Sequence, residues 1–168
     1  MSRLSSLLAA AALCSAAFPA HADDASFLAS FAGNWSGAGQ FRISTASPPV
    51  PVTCAFDATT SATRLTLDGK CRGMVVVSRR IGVTLNTEAN GVSGSYVGST
   101  TGPAGLAGGR SGDAFDLAIR WAKTVNGDRD ARMKVEKTGA GGMRLTTTDV
   151  DPKTGRSVVT GKIELTRL

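Results

Sequence analysis

The acidic pairs Asp128-Arg129-Asp130 and Asp149-Val150-Asp151 are the residues of this 168-residue chain best placed, by type and spacing, to do chemistry. Carboxylates one residue apart in or beside a turn could hold Ca²⁺, and two across a cleft could hydrolyse a glycoside. Neither stretch completes a calcium loop, and turn acids usually accept hydrogen bonds from nearby backbone amides, so both pairs read as turn caps. No interior strand position clearly carries two acids. The lysines that a Ser-Lys mechanism would recruit, Lys70, Lys134 and Lys162, fall on polar strand faces. Trp35 and Trp121 could stack a ligand, although aromatic residues on apolar strand faces read first as core.

Nucleophilic and metal chemistry is narrowed further by the start of the chain. Arg3 is followed by an apolar run from Leu4 to Phe18, then by the small-x-small site Ala20-His21-Ala22 and the charged Asp23-Asp24. This is the pattern of a secretory signal peptide over residues 1–22, too short in its apolar part to span a bilayer. Cys14 follows Leu13, where a lipidation site wants a small residue, so no lipid anchor is expected. No later segment approaches membrane-spanning length. His21 is the only histidine in the chain and leaves with the signal. The mature chain then lacks imidazole, which excludes Ser-His-Asp and Cys-His catalysis and His-ligated zinc, copper or haem. Action by binding, without catalysis, metal or cofactor, is the expectation.

The mature remainder, 23–168, suits a single domain with a proper core. Cys54 and Cys71 remain as one pair in an oxidising compartment, periplasmic or extracellular, and a disulfide is expected. With Arg3 removed, 18 Lys and Arg face 13 Asp and Glu, a net charge of +5. That balance suits the neighbourhood of anionic envelope surfaces. The cations are scattered at Arg42, Arg64, Lys134 and Lys162, with one adjacent pair at Arg79-Arg80, and few aromatics interleave them, so no nucleic-acid partner is expected.

The elements that must position these residues are strands. From Phe31 to Ile43 the chain alternates strictly, with Trp35, Gly37, Gly39, Phe41 and Ile43 on one face, the period-two signature of a half-buried strand. Gly37 and Gly39 predict open space inside, next to Trp35. Asp24 to Phe31 predicts one helical turn capped by Asp24 or Ser26. Ser44 to Pro51 is a proline-rich loop. Val50, Val52, Cys54 and Phe56 face Leu65, Leu67, Gly69 and Cys71 across a turn centred between Ala62 and Thr63, which sets Cys54 opposite Cys71.

The apolar run Met74 to Val77 precedes Ile81, Val83 and Leu85. Asn90-Gly91 is a hairpin signal that would pair Leu85 with Tyr96 and Thr87 with Gly94. Gly98 to Gly112 is either a flexible loop or glycine-bearing strands. Phe115, Leu117, Ile119 and Trp121 form the clearest later strand, turned at Asn126-Gly127. Ala131, Met133 and Val135, then Met143, Leu145 and Thr147, give two more. A turn at 151–155 leads into a last strand through Val159, Gly161, Ile163, Leu165 and Arg167. The class is all-β: a closed antiparallel up-and-down barrel of about 8–10 strands with a short N-terminal helical turn and one disulfide.

Gly33-Asn34-Trp35, after a short apolar turn and at the start of the first strand, resembles the G-x-W signature of lipocalins and the wider calycin barrels. The resemblance implies that an Arg of the last strand, here Arg167, packs over Trp35. It also implies an interior able to hold a small apolar molecule, for which Trp35, Gly37, Gly39, Tyr96 and Trp121 are the candidate lining residues. The FAGxWxGxG opening, single cysteine pair and L-x-R ending resemble small exported alphaproteobacterial proteins without an assigned activity. The chain is also similar to exported bacterial metalloprotease inhibitors, small barrels with an early tryptophan and one disulfide. That resemblance implies that Asp23 to Phe27 enters a protease cleft. The leading expectation is an exported envelope protein that binds a small apolar ligand or an envelope component. A protease inhibitor is the alternative, and an outer-membrane barrel the lesser one.

Overall fold

A computed structural model describes residues 20–73 and 77–168. Ten antiparallel strands follow one helix: α1 Ala20–Ala29, β1 Gly33–Phe41, β2 Val50–Thr60, β3 Arg64–Gly73, β4 Val77–Glu88 and β5 Gly91–Val97. The remainder are β6 Ala104–Ser111, β7 Ala114–Val125, β8 Asp128–Lys137, β9 Gly142–Val150 and β10 Ser157–Arg167. Each strand pairs with its sequence neighbours and β1 pairs with β10, so the meander closes into a barrel with no free edge. Closure explains the alternation: inward residues of all ten strands and of α1 form one core, while outward positions carry cross-strand ion pairs. Arg80 meets Asp68, Arg120 meets Asp130, and Arg144 bridges Glu136 and Glu164. This apolar-in, charged-out wall is the reverse of a lipid-embedded barrel.

Register bears out the disulfide. Cys54 lies opposite Cys71 in the β2–β3 ladder and the two are bonded. Four local expectations are corrected. Helix α1 starts upstream of the expected capped turn, so Ser26 is a helical residue whose hydroxyl donates to the Asp23 carbonyl rather than an N-cap. Pro51 belongs to β2, near its start, where the lost N–H is tolerated. Ile43 is 89% exposed, because β1 ends at Phe41 and the chain leaves the wall.

The β4–β5 hairpin turns on Ala89-Asn90, pairing Glu88 with Gly91, Leu85 with Gly94 and Val83 with Tyr96. Gly91 has φ +143° and faces the Gly108 carbonyl of β6, so it is a strand residue chosen for close approach, not half of the turn. The glycine-rich stretch resolves into a connection and the strand β6. The expected signal peptide over residues 1–22 and the apolar run Met74 to Val77 fall largely outside the described residues.

Antiparallel order sorts the connections between two ends. Helix α1 closes one: Phe27, Leu28 and Phe31 enter the core, and Phe27 packs at 5.1 Å from Phe115 and 5.2 Å from Phe31. Arg110 fastens the helix by ion pairs to Asp23 and Asp24 while its guanidinium covers the Phe27 ring. The segment expected to enter a protease cleft is therefore docked on its own barrel. The opposite end, called the open end, gathers the 42–49 loop, the 98–103 connection, the Asn126-Gly127 turn and the 151–156 loop.

Candidate functional site

Of the five candidate ligand-lining residues, the structure brings together Tyr96 and Trp121 and places the others elsewhere. Tyr96 and Ala104 are paired across β5 and β6, and Trp121 is the next inward residue on β7, so the two rings meet 5.8 Å apart beneath the open end. Both are buried. Burial pushes the Tyr96 phenol up to about 12, against a weaker opposite pull from Arg79. Arg79 stands at the rim, its guanidinium donating to the Gly98 carbonyl. Arg129 donates to the Trp121 carbonyl from β8, whereas the buried Trp121 Nε1 has no acceptor among the described residues.

Trp35 lies at the helix end, fully buried, and donates from Nε1 to the Phe31 carbonyl at 2.8 Å. Arg167 is its cross-strand partner and sits 4.4 Å over the indole. The same guanidinium donates to the Ala32 and Ser30 carbonyls, tying the end of β10 to the turn that leads from the helix. A second cation, Lys137, also lies 4.4 Å from that ring and 5.7 Å from Phe31, with its Nζ buried and without a hydrogen-bond acceptor among the described residues. Burial first, and Arg167 second, push the Lys137 ammonium down. Lys137 was legible in principle: extending the inward series Ala131, Met133, Val135 by one step lands on it.

Gly37 and Gly39 leave no void. A Cβ on either would collide with β10 backbone, at the Glu164 carbonyl oxygen for Gly37 and the Lys162 carbonyl oxygen for Gly39. Gly94 and Gly108 stand in the same relation to Thr84 and Asp116. These inward glycines are the points at which adjacent strands coil tightly enough to close the wall, so they correct the expectation of open space beside Trp35.

The open end also holds a polar cluster. Asp149 is buried, accepts from Asn126 Nδ2 at 2.8 Å and from the Val150 amide, and its carboxyl is pushed up by burial despite those bonds. Asn126 Oδ1 accepts from the Thr45 amide, which holds the 42–49 loop against the β7–β8 turn. Asp151 accepts from Thr154 Oγ1 and from the Lys153 and Thr154 amides, and these bonds hold its carboxyl below the usual range. Asp128 accepts from the Asp130 amide. These carboxylates organise turns, and Asp130 is paired with Arg120.

No protein-family model and no curated protein matches the chain. Among solved structures it is similar to an S-type phycobiliprotein lyase, CPES, from Guillardia theta, with 11% identity and a TM-score of 0.55. The match covers 85% of this chain and 91% of that one. The likeness is one of fold alone, a closed antiparallel barrel. It also corrects the expectation of action without catalysis: a barrel of this fold is a phycobiliprotein lyase, so the architecture is no ground for denying this chain an enzymatic activity.

Proposed function

We propose that this chain is exported after removal of residues 1–22 and acts as a binding protein of the cell envelope, making its contacts through the open end of the barrel. The observation that carries the reading is the concentration there of exposed apolar side chains. Ile43, Val97, Val150 and Val159 are all at or beside strand termini of that end, and among the described residues only Leu168 of the large exposed apolar side chains lies at the other. The leader-like composition of residues 1–22 and the oxidised Cys54–Cys71 pair agree with export. The test is fractionation of the producing cells with intact-mass measurement. A chain beginning at Asp23 in the envelope fraction is expected; full-length chain free in the cytosol would sink the proposal.

A second reading is favoured by Trp121 alone. Its buried N–H beside Tyr96, without an acceptor among the described residues, suits a small apolar ligand that brings one hydrogen-bond acceptor beneath the rim. Native mass spectrometry of protein from its own cells should then show an added mass that is lost in Trp121→Phe.

A further inference from the structure

The charges of the barrel are divided between its ends. At the helix end Asp23, Asp24, Glu88 and Asp113 balance Arg64, Arg110, Lys137 and Arg167. At the open end Arg72, Arg79, Lys123, Arg129, Lys153 and Arg156 are all exposed, with the exposed acids Asp128 and Asp130 beside them, Asp130 being paired with Arg120. Asp149 and Asp151, the other acids there, are buried and hydrogen-bonded. Among the described residues none of those six cations is ion-paired, whereas Arg80, Arg120, Lys134, Arg144 and Lys162 on the wall and Arg110 at the helix end are. With Asp128, Asp149 and Asp151 counted and Asp130 set against Arg120, the six cations leave this rim three charges positive, the larger part of the net +5 of residues 23–168. The exposed apolar residues Ile43, Val97, Val150 and Val159 share that rim.

A ring of cations around protruding aliphatic side chains has the chemistry of an interfacial membrane anchor: long-range attraction to negative headgroups, then shallow insertion of apolar groups. A nucleic acid would use the charge but would expect exposed stacking aromatics, and of the three rings at this end Tyr96 and Trp121 are buried and Phe41 packs half-buried against the core. We infer that the open end docks on an anionic phospholipid bilayer, with the barrel axis steeply inclined to the membrane and the helix end pointing away. This inference rests on the envelope reading above and names the component contacted.

Co-sedimentation of the chain lacking residues 1–22 with vesicles tests it. Vesicles of equal parts phosphatidylglycerol and phosphatidylcholine should carry the protein down, and vesicles of phosphatidylcholine alone should not. Raising sodium chloride from about 50 to about 500 mM should weaken binding by about tenfold or more, because the screening length shrinks severalfold. Lys153→Glu with Arg156→Glu, two exposed loop side chains, should weaken it by about tenfold or more, as should Ile43→Ser with Val159→Ser. Arg64→Glu at the helix end should leave it unchanged.

Equal binding to both vesicle types, an equal loss from Arg64→Glu, or no binding to either would overturn the inference. So would preferential capture by single-stranded DNA offered in competition. If vesicle binding fails while the processed chain still fractionates with the envelope, the inference falls and the envelope reading stands. If the full-length chain stays in the cytosol yet the vesicle pattern holds, the reverse is true.

Discussion

Tyr96 is the only tyrosine in the chain, so the ultraviolet titration of phenolate reports on one buried side chain. Its phenol is pushed up from 10.0 to about 12 by burial among Trp121 and the inward faces of β5 and β6. A raised folded value means that the fold favours the neutral phenol. That contribution to stability is complete below pH 10 and is lost as pH rises from there toward 12. A native midpoint near 12 that falls to about 10 in denaturant is the expected result; ionisation near 10 in the folded protein would place the ring in water. At the same scale, Arg167 over Trp35 was legible because antiparallel closure sets the end of the last strand beside the start of the first. Lys137 on the same ring is less legible, since a lysine at a strand end is ordinarily solvated.

Among the elements, β1 decides how the barrel closes. Gly37 is required by the Glu164 carbonyl of β10, where an alanine methyl would overlap backbone that cannot yield cheaply. Gly37→Ala should destabilise by about 1–3 kcal/mol, the usual range for overpacking. Gly105→Ala on the outer face of β6, where nothing lies within 4 Å, should be neutral or stabilising. Urea unfolding of the two variants checks the contrast, and equal effects would refute the seam argument. The alternation of β1, β7, β8 and β9 could be read directly, because side chains of a strand alternate whatever the neighbours are. The β4–β5 register could not: Asn90-Gly91 looks like a turn locally, and only the approach of Gly108 makes Gly91 a strand residue. For the same reason the glycines of β6 left loop and strand equally open.

Over the whole molecule, stability is spread around a closed ring of ten strands and one disulfide joins an adjacent pair. Cys54 and Cys71 are 17 residues apart, so reduction, or replacement of both by serine, should cost on the order of 3 kcal/mol through the unfolded chain. Closure by β1 and β10 does not depend on that bond, so the reduced protein should keep its far-ultraviolet spectrum and show only a lower urea midpoint. Loss of the folded spectrum on reduction alone would show that the bond is needed for closure. The expected N-terminal inhibitor segment fails at this scale too. Phe27 and Leu28 are apolar residues of the core, a fact that depends on where the helix lands and not on its composition.

What the amino-acid sequence determined by itself was the all-β class, the meander order, the cysteine pairing and the Trp35–Arg167 seam. The first three follow from a period of two, from turn residues, or from the simple sum of positions across a hairpin, and the seam follows from the resemblance of Gly33-Asn34-Trp35 together with antiparallel closure. Tertiary structure alone decided which end the helix closes, why the inward glycines are glycine, and that Tyr96 and Trp121 are neighbours while Trp35 stands apart. It also decided that cations scattered from residue 72 to residue 156 form one rim. The physical reason is closure: it relates residues that no local period connects, and it sorts strand ends into two poles whose charge and apolar exposure differ.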